Sequence, residues 1–198
     1  MQVFNPSQIS LAQLLNEARA NRGKISHIYL HWTAGRYNQF FDDYHLNIDG
    51  EGKVFRTCSS LDQLKAHTYQ RNSGSIGITL CCALGASWQG QKPDLGSCPP
   101  KTMQLIALAK VIAVLCAGLG LEVDSGAVMT HAEAALADGY GAGSGDSDTR
   151  WDLYWVPGNG DQLVRGGDRI RELAQHYRQV LLLLAPRNNS RCKNERSF

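Results

Sequence analysis

Residues 25–32 read ISHIYLHW, and residues 75–82 read SIGITLCC. Both are short runs rich in β-branched and aromatic residues, which suit a pleated, buried surface. The first sets Ile28 and Leu30 on one face. The second is almost wholly apolar, which predicts a central strand covered on both sides. Between them, Tyr44 to Ile48 and Lys53 to Arg56 flank Asp49-Gly50-Glu51-Gly52, the pattern of a β-hairpin. A further short strand is expected at Ala127 to Thr130. Ile9, Leu11, Leu14 and Leu15 recur at helical spacing within residues 8–20, with Ser10 placed to cap the helix. Thr102 to Ala117 reads as a buried helix closed by Gly118. Asp168 to Leu184 reads as an amphipathic helix with Ile170, Leu173, Tyr177 and Leu181 on one stripe. Strands mixed with helices predict an α/β fold: a single domain with a central mixed β-sheet flanked by helices. In this reading residues 1–24 form an N-terminal helical segment, 25–185 the main domain and 186–198 a tail.

The whole chain has 198 residues, 43% of them hydrophobic and 19% charged, which excludes a disordered polymer. Lys plus Arg number 20 and Asp plus Glu 18, a net charge of +2. Such a balance excludes a protein that grips nucleic acid mainly through its phosphates. Six Cys are present and none forms a CxxC pair, so a Cys-only zinc knuckle is not expected. Cys81, Cys82 and Cys116 lie in apolar runs and read as buried, reduced thiols, the usage of a protein made in a reducing compartment. The N-terminus lacks the basic start and apolar stretch of a secretory signal. The most apolar window, Leu105 to Leu121, is short for a span and carries Lys110, so stable membrane insertion is not expected.

Three residues carry a chemical signal. His31 ends the first strand, His131 ends the short strand at 127–130, and Asp152 follows a Gly-rich loop. Two imidazoles and a carboxylate suit an open catalytic zinc site with a position left for water. Their spacing obeys no general rule, and on spacing alone ordinary hydrogen-bonded histidines fit equally well.

The stretches IYLHWTAG, DDYHLNIDGEGKVFR, HTYQRNSGSIGITL, MTHAE and RWDL, in that order, resemble the zinc-dependent N-acetylmuramoyl-L-alanine amidases. That family includes amidase-type phage lysozymes, bacterial type 2 amidases and peptidoglycan recognition proteins. The similarity covers about residues 25–155. It implies a mixed sheet flanked by helices, Zn2+ as cofactor and peptidoglycan as substrate, cut between N-acetylmuramic acid and L-alanine by zinc-activated water. It implies His31, His131 and Asp152 as metal ligands. Tyr44 matches a tyrosine that assists catalysis, and Arg150 stands where relatives usually carry a catalytic Lys. His67 and Asn72 precede the SIGI run where relatives border the substrate groove. Thr79 stands where bacterial relatives often place a Glu able to handle a proton. A guanidinium keeps its positive charge and acts electrostatically, so proton delivery falls to Tyr44, Glu133 or water.

Several residues admit a plain reading beside a functional one. Glu133, two positions past His131, is equally open to a solvated and a catalytic role. Trp88 in the loop after the SIGI strand is a candidate substrate wall, whereas Trp151 and Trp155 read first as core. Asp146 and Asp148 read as a solvated loop rather than a calcium site. The tail, with Arg187, Arg191, Lys193 and Arg196 against Glu195, reads as solubilising. Alternative functions are a non-catalytic peptidoglycan-binding module and a zinc peptidase cutting within the stem peptide. No nucleic-acid partner is expected. A wall substrate lies outside the cytoplasm, which implies release or delivery by another system. A phage lysin or a delivered effector with a cognate immunity or delivery protein fits better than a recycling enzyme, because Thr79 and Arg150 depart from that branch.

Overall fold

In parallel strands that are buried on both faces, alternate residues must serve two different layers. The computed structural model of the chain, which describes residues 1–88, 93–141 and 150–184, shows how this sequence does so. The elements in order are β1 (Gln2–Val3), β2 (Ser7–Gln8), α1 (Leu11–Ala20), β3 (His27–Trp32), β4 (Phe40–Phe41), β5 (Leu46–Ile48) and β6 (Val54–Arg56). Then follow β7 (Ser75–Leu80), α2 (Thr102–Leu119), β8 (Val128–Thr130), α3 (His131–Ala137), β9 (Trp155–Pro157), β10 (Leu163–Arg165) and α4 (Gly166–Leu184). The main sheet has six strands in the order β2-β6-β5-β7-β3-β8. β6 pairs antiparallel with β2 and β5, while the β5–β7, β7–β3 and β3–β8 pairs are parallel. The fold is therefore α/β with a mixed central sheet, and the SIGI strand, β7, lies inside it.

Register decides what each face offers. Ile28 pairs with Ile76 and Val128, and Leu30 with Ile78 and Thr130. Ile28, Leu30, Trp32, Ile76, Ile78 and Leu80 join α2 residues such as Leu108 and Ile112 in one core. The intervening row carries polar groups: Tyr29 is opposite Gly77, and His31 is opposite Thr79, which in turn pairs with Asn47. The hydrophobic row thus anchors the sheet and leaves the second row for the site.

α1 begins with a full capping box, in which Ser10 Oγ accepts from Gln13 N–H and the Gln13 side chain accepts from Ser10 N–H. α2 lies between α1 and α4. Its composition and length alone would suit a membrane span, yet most of it is buried within the domain. Gln104 on its first turn donates to the carbonyls of Ile48 and Cys81 at 3.2 and 3.0 Å, closing the ends of β5 and β7.

The end of α2 differs from the sequence reading. Gly118 does not close the helix. The helix runs to Leu119, and Gly120 at φ +78° makes the left-handed cap. Gly118 serves packing instead: a Cβ there would come within 2.5 Å of Ala18 Cβ, so its absence lets α1 approach. The N-terminal stretch also adds the edge strand β2 to the sheet besides α1. On α4, Ile170 and Ala174 are buried and Leu173 and Tyr177 pack against the core, but Leu181 is exposed. Asp146, Asp148 and the 186–198 tail lie outside the described residues.

Candidate metal centre

β3 and β8 are parallel neighbours, so the residues at their ends emerge side by side. His31 near the end of β3 and His131 just past β8 have ring centroids 4.9 Å apart. Asp152 completes the group. His31 Nδ1 lies 3.0 Å and His131 Nδ1 3.3 Å from Asp152 Oδ2. One ligand atom from each of the three falls within 4.8 Å of the others. His31 is 1% and Asp152 3% exposed, whereas His131 is half-buried and marks the accessible side.

The turn that carries Asp152 is held from both sides. Trp151 packs edge-on to Trp32 at 4.7 Å, and Leu153 is fully buried. Leu153 takes φ +59°, a left-handed conformation that costs a branched residue on the order of 1–3 kcal/mol. Gly166 permits this turn, since a Cβ there would fall 1.9 Å from the Leu153 carbonyl oxygen.

Burial raises the Asp152 carboxyl, but the two imidazoles outweigh that and hold it below the ordinary carboxylate range. Burial lowers His31 despite Asp152. For His131 burial also lowers, but Asp152 prevails and the net direction is up. Among the described residues Asp152 Oδ1 is buried without a hydrogen-bond partner, and the nearest donor, His131 Nδ1 at 3.2 Å, makes an ion-pair approach only. An orphaned carboxylate oxygen beside two imidazoles is costly as it stands. The donor set is one that a divalent metal accepting nitrogen and oxygen would satisfy, so these residues fit a metal ion.

A chain of hydrogen bonds runs beneath His31. With Nδ1 turned to a metal, Nε2 must carry the proton, and it lies 3.3 Å from Thr68 Oγ1. Thr68 can then donate to His67 Nδ1 at 3.0 Å, and His67 Nε2 to Ser75 Oγ at 3.4 Å. Ser75 ends the chain on the carbonyls of Arg71 and Asn72 at 2.8 and 3.0 Å. Each group has one consistent role, which fixes the His31 tautomer. His67 is thus a support beneath the cluster, with burial pushing its imidazole down to about 2. Gly77 makes room for it: a Cβ there would meet the His67 ring at 2.5 Å. Asn72 Oδ1 accepts from the backbone N–H groups of His67 and Thr68 at 3.0 and 2.8 Å, so it shapes this loop. His45 meets the His67 ring edge-on at 5.6 Å, accepting from Gly77 N–H through Nδ1 and facing the Gln63 carbonyl through Nε2.

The remaining sequence candidates divide. The Tyr44 ring is 5.0 Å from that of His31, and burial, reinforced by Asp152, raises its phenol well above the ordinary value. The Arg150 guanidinium lies 5.1 Å from the ring of Tyr140, which in turn is 6.3 Å from that of His131. Tyr44 and Arg150 therefore border the cluster. Glu133 does not join it. Its carboxylate accepts from Thr130 N–H in the capping box of α3 and makes a two-pronged pair with Arg171, both contacts 2.8 Å. Trp88 is enclosed by Tyr154, Trp151 and Trp155 at 5.3–6.3 Å, which makes it part of an aromatic packing cluster rather than a free wall. Sequence reasoning did not single out Thr68, Tyr69 or Tyr140. The only signal was their place in HTYQRN and beside the Gly-rich loop.

Solved structures similar to part of the chain include two endolysins. One is the endolysin N-acetylmuramoyl-L-alanine amidase LysCS from Clostridium intestinale URNW, with 14% identity, a TM-score of 0.42, and 56% of this chain and 70% of that one covered. The other is the Ph2119 endolysin from the Thermus scotoductus MAT2119 bacteriophage Ph2119, with 18% identity, a TM-score of 0.41, and coverage of 55% and 72%. No curated protein matches the chain. The family model for N-acetylmuramoyl-L-alanine amidase (Amidase_2) matches residues 21–150, taking in His31, Tyr44, His131 and Arg150 and stopping two residues before Asp152. The match spans most of the sequence, and the chain belongs to the N-acetylmuramoyl-L-alanine amidase family.

Proposed function

We propose that the protein is a zinc-dependent hydrolase of peptidoglycan, cutting the amide between the lactyl group of N-acetylmuramic acid and L-alanine. The observation that carries this reading is the His31–His131–Asp152 group, with Asp152 Oδ1 unpartnered among the described residues, in a chain of the amidase family. His31, His131 and Asp152 would hold the ion. When bound in such a site, zinc polarises a carbonyl and makes water a competent nucleophile near neutral pH.

The chain's own groups supply the rest. Tyr44 keeps its proton, because burial and Asp152 disfavour the phenolate, and so it serves as a hydrogen-bond donor to the carbonyl oxygen as charge develops there. Arg150 contributes fixed positive charge at the open side of the cluster. Thr79, opposite His31 in the sheet, offers a hydroxyl and no base. Glu133 is engaged by Arg171 and the Tyr44 phenol holds its proton, so the proton for the departing amine comes from water.

The test is digestion of purified peptidoglycan with product mass spectrometry, before chelation, after it, and after zinc is returned. New L-alanine amino termini that depend on zinc support the reading. Binding without cleavage would favour a recognition module, and a cut inside the stem peptide a peptidase.

A further inference from the structure

Two short segments beside the metal cluster mirror each other. Tyr69-Gln70-Arg71 has Gln70 at φ +58°, and Asp138-Gly139-Tyr140 has Gly139 at φ +78°. Arg71 and Asp138 join them by a two-pronged ion pair, Nε to Oδ2 and Nη2 to Oδ1, both 2.6 Å. Arg71 Nη1 also donates to the Tyr29 hydroxyl at 3.3 Å, which ties the clamp to β3. Asn72 secures the same loop from the other side through the Thr68 and His67 N–H groups.

The result is an aromatic pair. Tyr69 and Tyr140 meet edge to face with centroids 5.7 Å apart, and Tyr140 stands 6.3 Å from His131. Tyr140 is half-buried, and its hydroxyl has no hydrogen-bond partner among the described residues. Tyr69 is 66% exposed. A large aromatic that remains exposed while a two-pronged ion pair two residues on and one edge-to-face ring contact hold it in place is preorganised with most of its own surface left uncovered. That is the physical mark of a contact surface for a ligand. Tyr69 is thus two ring contacts from His131, by way of Tyr140.

We infer that Tyr69, braced on Tyr140 by the Arg71–Asp138 clamp, forms a subsite for a pyranose ring of the glycan, which stacks its C–H face on the tyrosine. The inference rests on the amidase reading, since it names the part of the same substrate that this wall receives. The tyrosine selects sugar-bearing fragments over free stem peptides, and Tyr69 acts in binding rather than in bond breaking.

The test uses the zinc-loaded full chain and two competitors of wall digestion: an N-acetylglucosamine–N-acetylmuramic acid disaccharide, and an N-acetylated stem tripeptide without sugar. Tyr69→Ala is expected to weaken inhibition by the disaccharide about tenfold, as one aromatic contact of roughly 1.4 kcal/mol would, and to leave the tripeptide unchanged. Tyr69→Trp should retain the disaccharide effect. Arg71→Met, which frees the loop, should reproduce the Tyr69→Ala pattern, with thermal melting used to verify folding. Unchanged disaccharide inhibition in folded Tyr69→Ala, or equal loss for both competitors, overturns the subsite. A wild-type protein that cleaves walls and ignores the disaccharide overturns the subsite alone, while one that neither cleaves nor binds either fragment overturns the amidase reading as well.

Discussion

The Thr68 hydroxyl lies 3.3 Å from Nε2 of His31, on the side of the imidazole away from Asp152. It is the first link of the chain that continues through His67 to Ser75. A ligand histidine whose other nitrogen is held in this way presents a fixed tautomer and orientation. Thr68→Val keeps the shape and removes the acceptor, so zinc affinity should fall by about 10- to 100-fold. Thr68→Ser should restore most of it. Competition against a chromophoric chelator reads both values directly, with no substrate present.

The metal itself should stabilise the fold. The three candidate ligands come from β3, α3 and the turn at Asp152, so an ion held by them would tie together segments that are far apart in sequence. Zinc at a thousandfold excess over its dissociation constant adds about 4 kcal/mol, which for a chain of this size is a rise in melting temperature on the order of 10 °C. Asp152→Ala should remove that rise and abolish wall digestion. Calorimetric melts with and without zinc, on wild type and variant, measure the difference.

Arg150 separates charge from geometry. If fixed positive charge is its contribution, Arg150→Lys should keep a substantial part of kcat, whereas Arg150→Ala should lose about 100-fold or more, the scale of one transition-state donor. Zinc affinity should change little in either. A Lys variant as inactive as the Ala variant would show that the planar fork matters rather than the charge.

Gly77 sits under the His67 ring. Gly77→Ala pushes a methyl into a space where 2.5 Å is available, and a well-packed interior resists such overfilling at a cost of about 1–3 kcal/mol. The variant should melt earlier and bind zinc more weakly, because His67 can no longer support Thr68. The His67→Ala, Gly77→Ala double variant should recover part of the stability relative to His67→Ala carrying an intact Gly77.

His45 makes the fold sensitive to mild acid. Burial pushes its imidazole down to about 4, against roughly 6.5 in an unfolded chain. Above pH 6.5 both states are neutral there and the contribution is complete. As pH falls from 6.5 to about 4 the unfolded chain takes up a proton that the folded chain refuses, so stability drops, by about 3 kcal/mol at most. His45→Gln can still accept from Gly77 N–H and donate to the Gln63 carbonyl. Its melting temperature should therefore depend less steeply on pH across this window.

The sequence by itself determined the strands at 27–32 and 75–80, the 46–56 hairpin, the capped first helix and the last helix, because these depend on local periodicity and capping chemistry. It also singled out His31, His131 and Asp152, although its spacing alone admitted ordinary histidines. Tertiary structure decided what those residues do together. The parallel pairing of β3 with β8 brings His31 and His131 side by side, and a strained turn wedged by Trp151 and Leu153 adds Asp152. Tertiary structure likewise took Glu133 to Arg171, sank His67 beneath His31, and enclosed Trp88 among aromatics. It gave Gly118 to the α1 contact and left the helix end to Gly120. The division has one physical cause. Periodicity and caps act over a few residues and are written locally, whereas a side chain's partner is set by strand register and helix approach between segments tens of residues apart.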